Sequence, residues 1–578
     1  MLKIKDYLDW EPEFDYKNES PYVNPNRPWL KYRSSTVPKS IKFDPIPVHD
    51  FIRVSALKFP NNLCILDKKV NKKYTYSELI YNADKIANAL TDLGIGKGDF
   101  VGIMSINCPE FIFSWLGVLE TGATVVPINP LLTESDVTHI VRETGNINVI
   151  FCHKDNYDKI KETRKQVHVK YVILFGAEEV KDDAITLEEF IEGKIAKRPE
   201  VALDPINDVA ALMFTGGTTG LPKGVMLTHH NLVADVLIAF YNTKKTLEEI
   251  EALRGKTAYL GILPLCHVFG HEALIYELYN VAMIVMFSFN PSEVLETIEH
   301  YKVQLFAGVP VMYQMLVNSP DFKERNLSSL ESAVCGSTAL APEISKKFKE
   351  VVGINVSQGY GLTEGTAFTH GAPDWMPEIK SESIGVPDID TDVKIVNSET
   401  LEELEPGEVG EMLIIGPQIM KGYWKNPEET KREIFDGWLR TGDLAKMDDD
   451  GYFYIVGRTK DMIKYKSYKV MPMDVEMKLM DHPAILEVGV IGIPDTNIGE
   501  TIKAFVVLKK EYRDDKISER DIIDWSKEKL AAYKYPRHVE FINSLPRTSI
   551  GKLDRRQLKE MEQEKKKRNF RNKNNYSE

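Results

Sequence analysis

A loop rich in glycine and threonine carries the clearest chemical signal in the 578-residue sequence. It spans residues 214–224 and contains four glycines, three threonines and Lys223. Glycines let the backbone approach a ligand closely and turn its N–H groups toward an anion, while threonine hydroxyls and Lys223 add donors and positive charge. The loop is not a Walker motif, because Pro222 stands where glycine must precede the lysine. The composition indicates either a polyphosphate-binding loop or a flexible surface loop.

The elements around this loop alternate between short apolar runs and helical patterns, which indicates an α/β fold with a parallel sheet covered on both faces. Predicted strands lie at residues 74–76, 100–105, 124–129, 147–152, 171–175, 209–214, 258–263, 305–309 and 332–335. Predicted helices run from Ser77 to about residue 93, over 109–120, and onward from Thr133. Small residues follow several strands, and ligands gather at such strand ends.

Three further segments differ in pattern from this α/β region. Residues 1–45 show no clear period and are expected to form an irregular arm over the first domain. From about residue 384, alternating strands and Gly, Pro and Asp turns predict a β-rich subdomain, and beyond Lys460 a smaller α+β unit of about 100 residues follows. The charged tail from Lys559 is typical of a solvated helix end, with weak attraction to an anionic membrane as the alternative.

Composition narrows the functional class. A net charge of -13 argues against a general nucleic-acid binder but leaves room for a local basic site. The N-terminus has no apolar core, and the longest apolar run, residues 281–287, is too short to span a bilayer. The cysteines contain no CxxC pair, which suits a reducing cytoplasm and predicts no zinc site. They are Cys64, Cys108, Cys152, Cys266 and Cys335.

Five ordered motifs make the sequence resemble the adenylate-forming superfamily, which includes acyl-CoA synthetases, the adenylation domains of peptide synthetases, and luciferases. The resemblance covers about residues 50 to 560. The motifs resemble, in order, the phosphate loop at residues 215–224, the adenine and magnesium motif at 358–364, the ribose motif at 441–443, the hinge motif at 457–464 and the catalytic-lysine motif at 545–552. At Gly216 the family usually has serine, and at Ser467 it usually has glycine.

The resemblance implies an N-terminal AMP-binding domain over residues 1–459, a hinge at Lys460, and a mobile C-terminal lid over 461–578. It also implies ATP, Mg2+ and coenzyme A as ligands. The implied ATP- and AMP-binding residues are Thr215, Gly216, Gly217, Thr218, Thr219, Gly220, Lys223, Gly336, Ser337, Thr338, Gly359, Tyr360, Gly361, Thr363, Asp443 and Arg458. The implied coenzyme A tunnel residues are Lys464, Lys466, Ser467 and Tyr468. Catalysis is assigned to Lys552, Glu364, Thr363 and His267, and metal binding to Glu364 and Thr218.

These assignments agree with the chemistry of the residue types. Glu364 is a hard oxygen ligand beside the Thr363 hydroxyl, and this pair suits a Mg2+ that also binds phosphate oxygens. Lys552 would bridge an α-phosphate and a substrate carboxylate, whose mutual repulsion is roughly 4 kcal/mol at about 4 Å and an effective dielectric constant of about 20. A cation between them lowers that barrier as charge develops.

His267 and His271 lie four residues apart, but they do not form a zinc-protease motif, because Val268 stands where glutamate is required. Residues 264–270 resemble the acyl-pocket motif of fatty-acyl-CoA synthetases, so His267 is expected to help position the substrate. Histidines at this spacing are otherwise structural or line a pocket.

The leading hypothesis is an AMP-forming acyl-CoA synthetase for a medium- or long-chain acid. Two alternatives stay open: a stand-alone adenylation enzyme that loads an amino or aryl acid onto a carrier protein, and a catalytically inactive nucleotide-binding protein. Asp235 supports the first alternative, because amino-acid activators of the family place an aspartate near the start of the segment 232–240. A homodimer and a weak peripheral membrane contact also stay open.

Overall fold

The computed structural model describes residues 10–145, 147–177, 183–215, 222–466, 468–495, 498–513, 517–548 and 552–574. Its α-helices are Val48–Lys58, Tyr76–Asp92, Pro109–Glu120, Glu134–Thr144, Tyr157–Arg164, Leu187–Ile191, His229–Phe240, Leu247–Leu253, Val268–Tyr279, Pro291–Tyr301, Pro310–Val317, Pro342–Val352, Pro427–Glu433, Pro472–Met480, Glu519–Lys529 and Arg555–Asn574. None of these described helices combines the length and apolar character needed to cross a membrane.

The largest sheet has eight strands within the described residues and confirms the α/β prediction. In spatial order its strands are Gly422–Tyr423, Lys223–Thr228, Val209–Thr215, Thr124–Ile128, Phe100–Met104, Ile147–His153, Tyr171–Phe175 and Ile185–Thr186. The strands Phe100–Met104 and Thr124–Ile128 are buried along their whole length, because helices cover both faces, and this explains their continuous apolar sequence. The strand Lys223–Thr228 departs from the parallel pattern, since it returns antiparallel after the glycine-rich loop.

Two smaller sheets lie side by side next to the site. One contains Ala258–Leu260, Met283–Met286, Leu63–Asp67 and Lys72–Thr75, and the other contains Leu305–Gly308, Ser332–Cys335 and Val356–Gln358. Gln304 links them, because its Oε1 accepts the Ala258 N–H at 3.2 Å. The strand predicted to reach residue 263 ends at Leu260, where the chain turns and the Ile262 N–H donates to the Leu260 carbonyl.

Local capping fixes where the helices begin. Thr133 caps the helix Glu134–Thr144, as predicted. The predicted cap Ser77 is wrong, since Thr75 caps the helix Tyr76–Asp92 in a reciprocal capping box with Glu78. The Thr75 backbone N–H donates in turn to the Glu78 carboxylate, whereas Ser77 has the apolar Ile80 at the corresponding position.

The N-terminal arm is more ordered than expected. Its strands Glu13–Asp15 and Ser40–Lys42 pair antiparallel. Trp29 is fully buried and packs edge-on against Phe453. The arm is therefore anchored on the β-rich part of the molecule, and it also covers the first α/β region, where Trp10 packs edge-on against Phe51.

The β-rich part and the C-terminal part follow. The β-rich sheet contains Asp392–Val396, Gly410–Ile415, Trp438–Met447, Ile434–Phe435 and Phe453–Arg458, and a short ladder pairs His370–Gly371 with Val386–Pro387. The C-terminal sheet contains Tyr468–Val470, Ile463–Tyr465, Gly499–Leu508, Ile485–Asp495 and His538–Phe541. The buried residues of the C-terminal part, from Ile463 onward, form hydrophobic clusters separate from those of the preceding chain.

Candidate functional site

A cleft of about 3790 Å3 lies where the N-terminal and C-terminal parts face each other. Side chains from distant parts of the sequence line it, and they include most of the residues that the motifs singled out. These are His267, Glu364, Asp443, Arg458 and Lys552. The described structure therefore brings residues of all five motifs together at one place, with the phosphate loop represented by Thr215 and Lys223 at its ends.

Asp443 is buried and is the centre of a polar network in this cleft. The Tyr360 hydroxyl donates to its Oδ2 at 2.6 Å, and Arg458 Nε donates to its Oδ1 at 2.8 Å. The charge of Asp443 is the main reason that the pKa of the Arg458 guanidinium lies above its usual value. Burial, followed by the charge of Asp443, also raises the pKa of Tyr360. The two hydrogen bonds fix the orientation of the Asp443 carboxylate at the cleft wall.

Lys552 enters the cleft from the C-terminal part. Two hydrogen bonds to Thr548 hold its backbone: the Thr548 N–H donates to the Lys552 carbonyl at 2.7 Å, and the Lys552 N–H donates to the Thr548 hydroxyl at 3.2 Å. Burial lowers the pKa of Lys552, the charge of Arg458 lowers it further, and the carboxylates of Asp443 and Glu364 act in the opposite direction. These four charged groups therefore share one electrostatic environment.

Glu364 lies on the turn Thr363–Gly365, and both Thr363 and Glu364 line the cleft. The Tyr423 hydroxyl donates to Glu364 Oε1 at 2.8 Å and orients the carboxylate. Burial, with a further contribution from Glu364, raises the pKa of Tyr423, so this phenol stays a donor. The sequence analysis assigned no role to Tyr423. The available signal was the Gly-Tyr-Trp run at 422–424, which is typical of a packed turn.

The residues at this position fit a magnesium ion held mainly by phosphate oxygens. Among the described residues no group of three or more His, Cys, Asp or Glu side chains is arranged to hold a metal. A single carboxylate beside a hydroxyl is, however, the donor set that suits Mg2+ when substrate phosphates and waters supply the other ligands. Glu364 and Thr363 provide that set, and the predicted ligand Thr218 lies outside the described residues.

His267 caps the helix Val268–Tyr279 and lines the cleft. Its Nδ1 accepts the Phe269 N–H at 3.4 Å, so the neutral ring carries its proton on Nε2. Burial, with a smaller effect from Lys552, lowers the pKa of His267 to about 4, and the ring is therefore neutral at pH 7. Burial raises the pKa of the neighbouring Cys266 thiol to about 12, so this thiol is protonated at pH 7.

His271 has a structural role. It is completely buried, and its Nε2 accepts the Trp115 indole N–H at 2.9 Å. Asp235 is also completely buried and accepts the Phe368 backbone N–H at 3.2 Å. Asp235 is absent from the described residues that line the cleft, so it does not present a carboxylate to a substrate amine. This placement removes the sequence argument for an amino-acid activator.

The small residues predicted at the nucleotide site lie in the cleft wall. Gly336, Ser337 and Thr338 follow the strand Ser332–Cys335, and Gly359 and Gly361 flank Tyr360. At Gly361 a Cβ would lie 1.2 Å from the Ala367 carbonyl oxygen. Only glycine allows this close approach of two backbone segments.

The phosphate loop is described only at its ends. Gly216, Gly217, Thr218, Thr219 and Gly220 lie outside the described residues, while Thr215 ends one strand and Lys223 begins the next. Lys223 Nζ forms an ion pair with Glu429 of the helix Pro427–Glu433 and lies 5.1 Å from the Tyr423 ring centroid. Glu429 was missed from the sequence, because 206 residues separate it from Lys223.

The residues expected to face coenzyme A are not part of this cleft wall. Lys464, Lys466 and Tyr468 are exposed on the hairpin Ile463–Val470, and they are absent from the described residues that line the cleft. Tyr468 stacks on Tyr533 with centroids 4.3 Å apart. Ser467 lies outside the described residues. In this structure Lys552 therefore lines the cleft together with Asp443 and Glu364, whereas Lys464, Lys466 and Tyr468 lie outside it.

The site combines the buried carboxylate of Asp443, the two ends of the phosphate loop, and Lys552 from the C-terminal part of the chain. This combination is that of the adenylate-forming class. Comparison with known proteins agrees with this class. The AMP-binding enzyme family matches residues 52–424, and the AMP-binding enzyme C-terminal domain matches residues 474–552. The chain belongs to the AMP-binding enzyme family, and the prediction of an AMP-forming acyl-CoA synthetase is confirmed.

Individual relatives match over almost their whole length. The long-chain-fatty-acid–CoA ligase of Bacillus subtilis (strain 168) is 35% identical over 567 residues, which cover 93% of this chain and 98% of that protein. The probable 4-coumarate–CoA ligase 1 of Dictyostelium discoideum is 32% identical, covering 92% of this chain and 97% of that protein. The crystal structure of an anthranilate CoA ligase in complex with anthranoyl-AMP superposes with a TM-score of 0.78 at 28% identity, covering 89% of this chain and 97% of that one.

Proposed function

We propose that the protein converts a medium- or long-chain fatty acid, ATP and coenzyme A into acyl-CoA, AMP and pyrophosphate. The observation that carries this proposal is the entry of Lys552 into a cleft with Asp443, Glu364 and Arg458. The apolar side chains that line the cleft beyond His267 support an acyl substrate. So does the sequence similarity to the Bacillus subtilis protein, whose name specifies a long-chain fatty acid.

In the first half-reaction the substrate carboxylate attacks the α-phosphorus of ATP, and the bond to the β-phosphate oxygen breaks. The acid and the phosphate are both anionic, so their approach is opposed by Coulomb repulsion. The ammonium group of Lys552 offsets this repulsion and stabilises the charge that develops on the α-phosphate oxygens. The neutral His267 ring offers its Nε2–H to the substrate carboxylate and helps orient the attacking oxygen.

The remaining residues hold the nucleotide. Asp443 accepts from the ribose hydroxyls, and the ring of Tyr360 and the backbone at Gly336, Ser337, Thr338, Gly359 and Gly361 enclose the base and sugar. Arg458 contributes positive charge on the same wall. Glu364, with the Thr363 hydroxyl, would hold Mg2+, which when bound supplies positive charge to the triphosphate.

The phosphate loop acts as a clamp for the leaving pyrophosphate, and not as a loop for γ-phosphoryl transfer. Residues Thr215 to Gly220 supply backbone and hydroxyl donors, and Lys223 supplies charge to the β- and γ-phosphates. In the structure Lys223 is paired with Glu429. Binding of the triphosphate therefore requires Lys223 to share its charge between Glu429 and the phosphates.

The second half-reaction transfers the acyl group to the coenzyme A thiol and needs a different set of side chains. We infer that residues 461–578 rotate about Lys460 relative to residues 1–459, which withdraws Lys552 and brings Lys464, Lys466, Ser467 and Tyr468 to the thiol path. The separate hydrophobic clusters on either side of Lys460 support this division, since rotation then breaks no shared core.

Cellular location, oligomeric state and membrane contact are further parts of the proposal. We place it in the cytoplasm, where cysteines stay reduced, and the five cysteines are free thiols. Size-exclusion chromatography with light scattering decides between a monomer and a homodimer. Flotation with anionic vesicles tests for peripheral membrane contact by the basic helix Arg555–Asn574.

The proposal is tested with purified protein, ATP, Mg2+, coenzyme A and a panel of carboxylic acids of increasing length. We expect pyrophosphate release and acyl-CoA formation in equal amounts for fatty acids. Pyrophosphate release without acyl-CoA for every acid would contradict coenzyme A as the acceptor. Absence of pyrophosphate exchange with all acids would favour an inactive nucleotide-binding protein instead.

A further inference from the structure

The ammonium group of Lys223 has two neighbours from one short segment of the chain, of which one lines the cleft and the other does not. It forms an ion pair with Glu429 Oε1, and it lies 5.1 Å from the centroid of the Tyr423 ring. Lys223 and Tyr423 line the cleft, whereas Glu429 is absent from the described residues of the cleft wall. A ligand in the cleft is therefore expected to reach Lys223 without touching Glu429.

The backbone that carries this ion pair is held in place by hydrogen bonds. The strand Gly422–Tyr423 pairs with the strand Lys223–Thr228 in the large sheet. The helix Pro427–Glu433 begins just after the first of these strands, and it is tied back because the Tyr423 N–H donates to Thr430 Oγ1 at 2.9 Å. The helix and the strand are thus fixed relative to each other, and a change of partner at Lys223 requires only side-chain movement.

Glu429 has a second cationic partner. Its Oε1 pairs with Lys223, and its Oε2 pairs with Arg432 NH1 at 2.9 Å. The Glu429 side chain is 12% exposed, while that of Lys223 is 36% exposed and has room to move. Removing a cation from a buried carboxylate is costly when no other cation remains. Because Arg432 remains, Lys223 can leave Glu429 without stranding a charge.

The ion pair reduces the positive charge that the cleft presents. The hydrogen bond from Lys223 is the main reason that the pKa of Glu429 lies below its usual value, so the carboxylate is ionised at pH 7. An anion in contact with the ammonium group cancels much of the attraction that a phosphate at the same place would feel. Phosphate oxygens and the Glu429 carboxylate are therefore alternative partners for one cation.

We propose that Glu429 competes with the β- and γ-phosphates for Lys223, and that this competition limits how tightly the enzyme holds ATP and, after the first half-reaction, pyrophosphate. This inference rests on the proposed acyl-CoA synthetase function and adds a positioning residue to it. Pyrophosphate that stays bound can reverse the first half-reaction, so a weakened hold on it favours the forward direction. Glu429 acts through Lys223 and not by contact with the nucleotide.

The test measures the Kd of three ligands in the presence of Mg2+ by isothermal titration calorimetry. The ligands are pyrophosphate, AMP, and an ATP analogue with a methylene group in place of the α,β-bridging oxygen, which cannot react. Glu429→Gln keeps the size of the side chain and removes its charge. We expect the Kd of the analogue and of pyrophosphate to fall by about three- to tenfold. The Kd of AMP, which has no β- and γ-phosphates, should stay within about twofold.

Turnover provides a second readout that a purely structural role of Glu429 would not produce. In Glu429→Gln the KM for ATP and the inhibition constant of pyrophosphate should both fall by about three- to tenfold, without a rise in kcat. A variant that merely loosens the fold would instead lower kcat and raise KM. The assay follows acyl-CoA formation at several concentrations of ATP and added pyrophosphate.

Two comparisons assign the effect to the ion pair. Glu428→Gln is the matched control, since Glu428 lies on the same helix, is 80% exposed and pairs with Lys431. It removes the same charge and should leave all three Kd values unchanged. In a Lys223→Met background, Glu429→Gln should change the Kd of pyrophosphate by less than about twofold, because the cation through which Glu429 acts is gone.

The outcomes separate this inference from the proposed function. An unchanged or higher Kd for the analogue and pyrophosphate in Glu429→Gln would overturn the competition and leave the proposed function intact. An equal fall in Glu428→Gln, or in the Lys223→Met background, would also overturn it, because the effect would then come from net charge alone. Failure of the unaltered protein to bind the analogue and to release pyrophosphate with any acid would overturn the proposed function, and this inference with it.

Discussion

The ammonium group of Lys552 lies in one electrostatic environment with Arg458, Asp443 and Glu364. The net effect of burial and of the Arg458 charge is to lower its pKa, which means that the cleft without ATP disfavours the cation. Bound phosphates reverse this balance by adding negative charge. The negative charge that develops in the first half-reaction therefore stabilises the protonated form of Lys552.

Replacement of this side chain separates the two half-reactions. Lys552→Ala should reduce the rate of acyl-adenylate formation by about a hundred- to a thousandfold, because the charge that stabilises the developing phosphate is lost. Thioester formation from supplied acyl-adenylate should change little, and pyrophosphate release and acyl-CoA formation measure the two steps. Lys527→Ala, an exposed lysine paired with Asp524, is the control. Equal loss of both steps in Lys552→Ala would contradict the assignment of Lys552 to the first half-reaction alone.

The pH dependence of the first step follows from the same group. Lys552 must be protonated, and its pKa lies below the ordinary value of 10.5, so activity falls as pH rises through this lowered pKa. We expect an alkaline limb below pH 10.5 in kcat/KM for ATP, measured by pyrophosphate release, since this parameter reports the free enzyme. Lys552→Arg keeps its proton to higher pH and should move the limb upward. An identical limb in both proteins would argue against Lys552.

The N-terminal arm is an element whose role the structure makes clear. Arg27 donates from Nε to Asp392 Oδ1 at 2.7 Å and from NH2 to Oδ2 at 3.1 Å, and it also pairs with Glu403. Both Arg27 and Asp392 are buried. The arm thus attaches to the β-rich sheet through a buried ion pair that contains two hydrogen bonds. Such a bidentate pair is a stronger interaction than an exposed ion pair.

Removal of Arg27 should destabilise the fold. Arg27→Ala leaves the Asp392 carboxylate buried without its cation, and we expect the free energy of unfolding to fall by about 3–5 kcal/mol. Urea denaturation followed by fluorescence measures this change. Lys31→Ala, on the same arm, removes an exposed pair with Asp450 and a contact with the Tyr32 ring, and it should leave the free energy of unfolding nearly unchanged. Similar losses in the two variants would show that the buried pair has no special role.

The molecule as a whole must alternate between two arrangements if one cleft is to serve both half-reactions. Lys460 lies in the turn Thr459–Asp461, between the strands Phe453–Arg458 and Ile463–Tyr465. Its side chain is exposed, and it contributes positive charge near Glu429 and Glu433. A short exposed turn between two separately packed parts is a suitable place for a large backbone change.

A proline at this turn should hinder the rotation. Lys460→Pro fixes φ at residue 460 and disfavours the helical conformation of Thr459 in the turn Thr459–Asp461, so it restricts the backbone dihedral angles that a rotation there would have to change. We expect acyl transfer to coenzyme A to slow more than adenylate formation, as resolved by single-turnover measurement of each step. Lys460→Ala, which leaves the backbone free, should affect both steps little. Unchanged turnover in Lys460→Pro would place the hinge elsewhere.

Much of the architecture followed from local patterns. The helix Pro109–Glu120 and the strand Tyr171–Phe175 have the predicted bounds, because their apolar runs are flanked by residues that stop them. Errors arose where tertiary contacts override a local pattern. The strand predicted at 258–263 is cut short because Asn107 Nδ2 binds the carbonyls of Gly261 and Leu263 and holds them in a loop.

The candidate site also combines features that local sequence predicts with contacts that only the tertiary structure shows. The sequence by itself determined which residue types carry the chemistry, since Lys552, Glu364 and Asp443 belong to short motifs whose spacing is local. Only the tertiary structure decided the contacts around the site, such as the Tyr423 hydroxyl on Glu364 and Glu429 on Lys223. These contacts join side chains far apart in the chain, and they depend on how sheets and helices pack, which no local spacing specifies.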